Sequence, residues 1–181
     1  WTEKFMAKPT IMGIADTYGI ELNHPIREAR SRKEIGRKGR SNHRRIVGVK
    51  VCVVVNKFGQ ICGFDLATAN VYDANFRPLI GRFEGKMIVL TDSHFHSRDG
   101  KDPPNMKVCK RGRWNGRMVI ETVFSMMTRV FNFKGMGHRV WEYLRARVAF
   151  SMAAFNILAS WGGLKVNEKG FVHLSIAQFS I

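Results

Sequence analysis

The apolar positions change rhythm several times along the chain. TIMGIAD (10–16) is a short apolar run closed by a carboxylate and predicts a buried strand. RIVGVKVCVVVN (45–56) is strongly β-branched, breaks at NKFGQ (56–60) and resumes as ICGFDLATANV (61–71). Two β-rich runs about a Gly-containing turn predict a hairpin. Asp73 then precedes ANFRPLIGRF and predicts a short helix with that aspartate as its N-cap. KMIVLTD (86–92) predicts a second buried strand ending in a carboxylate, and residues 97–116, with Pro103-Pro104, predict a loop. From Arg117 to Phe131 and from His138 to Trp161 the period is helical, interrupted by FKGMG (133–137). Ile120, Val123, Phe124, Met127, Val130 and Phe131 form the core stripe of the first of these helices. This order predicts an α/β fold over residues 1–161, with 162–181 a tail whose GFVHLSIAQFSI forms one further strand or none. The most apolar stretch, VAFSMAAFNILASW (148–161), is shorter than the ~20 residues of a spanning helix and reads as a core helix.

Charge changes the picture most. The 181 residues carry 30 Lys+Arg against 14 Asp+Glu, a formal net charge of +16, while the hydrophobic fraction is 45%. That hydrophobicity excludes a disordered chain, and the scattered glycines exclude a collagenous one. An excess of this size calls for a polyanionic partner, nucleic acid or an acidic membrane surface. The excess is uneven. Between Arg27 and Arg45 nine bases face only Glu28 and Glu34, and Gly36, Gly39 and Ser41 break any helix, so the stretch predicts a basic loop or arm. Arg37, Lys38, Arg40, Arg44 and Arg45 are its candidate DNA-backbone contacts, set against the plainer reading of a solvated charge run. A second cluster, Lys107, Lys110, Arg111, Arg113 and Arg117, brackets Trp114. That tryptophan suits either a base stacked among cations or a cap on the core at the start of the next helix. Cys52, Cys62 and Cys109 lack metal or disulfide spacing and fit a reducing cytosol. No Gly-rich phosphate loop occurs, which argues against nucleotide-driven chemistry. The chain opens on Trp1 and reads as a piece of a longer one.

Three of the scarce acids stand out by position. Asp16 and Asp92 close predicted strands and Glu121 lies on the following helix. Strand ends are where ligands collect in α/β sheets, and carboxylates gathered inside so basic a protein repel unless a cation joins them. Oxygen ligands of this kind suit Mg²⁺ or Mn²⁺, and a pair of such ions serves phosphoryl transfer. Singly, each has a bland alternative: Asp16 a strand-end turn residue, Asp92 a turn or cap, Glu121 an i,i+4 partner of Arg117. His94 and His96 form an H-x-H pair without a fourth zinc ligand at suitable spacing, and read as loop histidines beside the site.

The frame around Glu121 resembles the catalytic domain of bacterial insertion-sequence transposases of the DDE type. That family carries Tyr, two residues, Arg, three residues, Glu, six residues and Lys; here the frame reads Trp114, Arg117, Glu121 and Thr128, with Arg129 next to the last. IADTYGIEL, VLTDSHF, ETVFSMMT and LRARVAFSMAAFNIL extend the resemblance over roughly residues 10–160. The resemblance implies a ribonuclease-H-like domain, a mixed central sheet flanked by helices. It implies Asp16, Asp92 and Glu121 as catalytic metal ligands for two Mg²⁺ or Mn²⁺ ions, and Arg117 as the residue that orients Glu121 or holds a phosphate. It implies cleavage at transposon ends in double-stranded DNA followed by 3′-hydroxyl strand transfer into target DNA, self-association on DNA, and a place in the bacterial cytoplasm at the nucleoid rather than on a membrane. Arg129 stands in for the family's end-contacting lysine. Two rivals stay open: a nuclease of the same fold without strand transfer, and a non-catalytic relic or basic RNA-binding module.

Overall fold

A computed structural model of the chain describes residues 2–30, 37–41, 44–109, 117–138 and 140–161. Six strands form one mixed sheet: β1 (Met12–Asn23), β2 (Lys38–Ser41), β3 (Arg44–Asn56), β4 (Ile61–Thr68), β5 (Ile88–Thr91) and β6 (Met106–Val108). The helices are α1 (Arg77–Gly81), α2 (Arg117–Phe131) and α3 (Trp141–Trp161). The chain is therefore α/β, as its periodicities predict.

β3 organises the sheet. Its Val49, Val51, Val53 and Val55 face one core and Cys52 and Val54 the other, so it is buried on both sides and reads as an almost unbroken apolar run. Along one edge β3 pairs antiparallel with β1, from Gly13↔Asn56 to Asn23↔Val47. Along the other it pairs antiparallel with β4 and, further on, with β2. Beyond β1 come β5 and then β6, both parallel. The hairpin turn closes with Gly59 at φ 78°, the left-handed region that glycine enters at no steric cost.

The sheet has two apolar faces. On one, α2 and α3 pack through Ile120, Val123, Phe124 and Met127 and through Leu144, Val148, Met152 and Phe155. On the other, Phe76, Leu79, Ile80 and Phe95 cover Ala15, Cys52 and Val89. Asn156 seams α3 to the sheet: its Oδ1 accepts from the Ile61 N–H at 2.8 Å, and its Nδ2 donates to the Ile61 and Phe5 carbonyls at 2.7 and 2.8 Å. The expected core stripe of α2 holds except that Val130 is exposed and Met126 is buried in its place. Among the described residues no helix is long and apolar enough to cross a membrane.

Four expectations need correction. The first strand does not stop at Asp16, because pairing with the 13-residue β3 carries it on to Asn23. The basic arm is partly strand: Lys38–Ser41 pairs with Arg44–Val47, and Gly39 suits the spot because a side chain would run into the Ala69 carbonyl. Residues 106–108 are strand rather than loop, drawn into parallel pairing by β5. Asp73 caps nothing: the single helical turn Asp73–Phe76 begins after Tyr72, without a side-chain cap, and the Asp73 carboxylate turns to a lysine instead. The tail 162–181 lies outside the described residues.

Candidate metal and nucleic-acid site

Parallel pairing sets the site. β1 and β5 run in register through Met12↔Ile88, Gly13↔Val89 and Ile14↔Leu90. Carrying that register two residues past Ile14↔Leu90 reaches Asp16 on β1 and Asp92 just beyond the end of β5, and the charge of Asp92 is felt at Asp16. Asp16 is thus a mid-strand residue that meets Asp92 where the shorter β5 ends. Its carboxylate accepts from the Thr17 N–H at 2.7 Å and is largely buried. Burial, seconded by the neighbouring charges of Asp92 and Asp73, pushes its pKa up to about 6, against the pull of Thr17 and Arg117. A carboxyl crowded in this way is one that a cation would relieve.

Arg117 links the sheet to α2. Its Nη2 lies 3.7 Å from Asp16 Oδ2 and its Nε lies 3.1 Å from Glu121 Oε1, one turn further along the helix. The i,i+4 pairing foreseen for Glu121 is therefore present, and the same guanidinium carries it across to Asp16. Glu121 stays more than half exposed and meets Asp16 through Arg117.

Asp92 is both strand end and cap. It opens the single turn Ser93–Phe95, accepting from the His94 N–H at 2.9 Å, and its other oxygen lies 3.0 Å from His94 Nδ1. That contact raises the His94 pKa. Ligand atoms of Asp73, Asp92 and His94 all lie within 4.8 Å of one another, a set that could hold a metal ion. Asp73 is steadied by Lys50 Nζ at 2.7 Å, and the same ammonium donates to the Val71 carbonyl at 2.8 Å. Lys50 is the only charged residue in the described run 46–56 of β3. Sequence reasoning missed Asp73 as a candidate ligand and set His94 aside as a loop histidine. Nothing local marks Asp73, since only the fold of residues 61–76 back along β3 brings it to Asp92. His96 points elsewhere, to Asp102, which with Asp99 also receives Arg77; the H-x-H pair therefore does not converge on one ion. Bonds from the Arg77 guanidinium hold the Asp99 carboxyl well below the usual carboxylate range.

Thr128, at the position of the family's lysine, faces inward. Its Oγ1 lies 2.7 Å from the Tyr18 hydroxyl and donates to the Phe124 carbonyl at 2.8 Å. Arg129 is exposed on the last turn of α2.

The basic hairpin separates its cations. Arg44 pairs with Glu21 at 3.1 Å and Lys38 with Glu28 at 3.9 Å, whereas Arg37, Arg40 and Arg45 are exposed. Arg40 and Arg45 stand directly opposite each other across β2 and β3. Like charges so placed repel, and an anion between them would relieve the pair. Lys110, Arg111, Arg113 and Trp114 lie outside the described residues. Compared with known proteins, the chain matches no protein-family model, no curated protein and no solved structure.

Proposed function

We propose that this chain is the catalytic domain of a DDE-type DNA transposase on a ribonuclease-H-like fold. The observation that carries the reading is the register of β1 on β5, which sets Asp16 beside Asp92 under the helix of Arg117 and Glu121. The sheet order supports it: an antiparallel trio, β4-β3-β1, continued by two parallel strands, β5 and β6.

The donor set fits a hard divalent cation. Among the described residues the set whose ligand atoms lie within 4.8 Å of one another is Asp73, Asp92 and His94; Asp16 stands next to it on β1, and Glu121 is tied to Asp16 through Arg117. Mg²⁺ or Mn²⁺ bound there would supply charge stabilisation at the reacting phosphate and lower the pKa of an attacking hydroxyl or water. The chain's own residues prepare this site. Burial holds the Asp16 carboxyl protonated up to a higher pH than usual, so an incoming cation would take the place of that proton. Arg117 bridges Glu121 to Asp16. Lys50 anchors Asp73 and so fixes one wall of the site. Arg37, Arg40 and Arg45 present positive charge that suits a phosphate backbone.

The test is a Mn²⁺-soaked crystal together with an activity assay on supercoiled plasmid and on duplexes carrying the inverted repeats that flank the gene. Mn²⁺ bound by Asp16 and Asp92, with DNA products joined to target, supports the proposal. Nicked DNA without joined product would assign a nuclease instead. Absence of any bound cation, with DNA activities unchanged in Asp92→Asn, would leave only a DNA-binding role.

A further inference from the structure

Lys134 is held above the same face of β1 that carries Asp16. Its ammonium sits 5.7 Å from the centroid of the Tyr18 ring, on an exposed turn. Tyr18 follows Asp16 by two residues, so the two share a face about 7 Å apart along the strand.

Both partners of this contact are fixed. The Tyr18 ring stacks on Phe124 at 4.9 Å and lies 6.0 Å from Phe133, and its hydroxyl meets Thr128 at 2.7 Å. The turn that carries Lys134 is pinned on either side by the buried Phe133 and Met136. α2 ends as Asn132 adopts φ 50°, the Phe133 N–H donates to the Met127 carbonyl at 3.2 Å, and the Gly135 N–H donates to the Asn132 carbonyl at 2.9 Å. A side chain at Gly135 would meet the Asn132 amide, which would have to shift. Among the described residues Lys134 makes no ion pair. A cation is thus presented at a set height over an aromatic floor, on the face of Asp16.

We infer that Lys134 binds a backbone phosphate of the DNA strand that crosses Asp16, and so positions that strand on the site. The inference rests on the proposed function. Arg117 lies beside Asp16 at the start of α2, and Lys134 lies beside Tyr18 just past its end.

The test compares the parent chain with Lys134→Gln and Lys134→Arg by fluorescence anisotropy on a labelled duplex, over a range of salt. Loss of one phosphate contact lowers the slope of log affinity against log salt by about 0.9. Between 50 and 200 mM salt, Lys134→Gln then loses about threefold less affinity than the parent, equally on every sequence, while Lys134→Arg keeps the parent slope. An unchanged slope in a Lys134→Gln protein of parental circular dichroism overturns the inference. The Mn²⁺-dependent cleavage assay on the parent separates the two failures. Cleavage with an unchanged slope sinks the inference alone. A changed slope without cleavage sinks the enzyme reading and keeps the phosphate contact. A parent chain that binds no DNA overturns both.

Discussion

Arg117 reaches from the first turn of α2 to within 3.7 Å of Asp16, joining an acid of the central strand to the helix that carries Glu121. Burial, with Asp92 close by, pushes the Asp16 pKa up to about 6, so in its ionised form it is a cost to the fold that Arg117 only partly offsets.

That cost has a pH signature. Well below pH 4 Asp16 is protonated in both folded and unfolded chains and contributes nothing. Between about pH 4 and 6 the unfolded chain releases the proton first, so stability falls as pH rises, and above 6 the full penalty applies. Asp16→Asn removes it and stabilises the fold at pH 7 by roughly 3 kcal/mol, with a gain of only about 0.5 kcal/mol at pH 4. Urea midpoints of parent and variant at the two pH values measure this; equal midpoints at pH 7 would refute it.

A divalent cation bound at Asp16 displaces the same proton. Mn²⁺ affinity, read by titration calorimetry, therefore drops about fivefold from pH 6 to pH 5 and levels off above pH 7. At a hundred times its dissociation constant Mn²⁺ stabilises the fold by about 2.7 kcal/mol, and Asp92→Asn abolishes the effect.

Lys50 and Asp73 form a largely buried ion pair in the wall of the site, 2.7 Å apart. Lys50→Met strands the Asp73 carboxylate and costs about 3 kcal/mol, because an uncompensated charge remains inside. The double change Lys50→Met with Asp73→Leu recovers most of the loss. Chemical denaturation of the three variants closes the cycle, and simple additivity would deny the coupling.

Asn156→Ala removes three hydrogen bonds that join α3 to β4 and the N-terminal segment. It leaves buried backbone groups without partners, so the expected loss is about 2–3 kcal/mol. Hydrogen exchange at the Ile61 amide reports it directly, since that N–H loses its acceptor.

The legible and the illegible parts of the site differ in sequence range. The Arg117–Glu121 pair was readable because a helix repeats every 3.6 residues and fixes which neighbours meet. The hairpin was readable from β-branched runs about Gly59. The strand limits were not, since β1 runs past Asp16 only where β3 is there to pair with it, and β6 forms only beside β5. Asp73 looked like a helix cap because an acid before a helical run commonly is one. Lys50 competes for that carboxylate from 23 residues away and wins it.

The amino-acid sequence alone determined the α/β element types, the +16 charge and its concentration in residues 27–45, and the helical frame around Glu121. These follow from local periodicity and composition. Only the tertiary structure decided which acids meet. Asp16 and Asp92, 76 positions apart, are neighbours because two strands pair in parallel at one register, and Asp73 and His94 join Asp92 because the chain folds back over β3. It also decided that Thr128 turns inward to Tyr18 while Lys134 stands above that ring. Such contacts depend on burying both faces of a shared sheet, a condition that no single segment can state for itself.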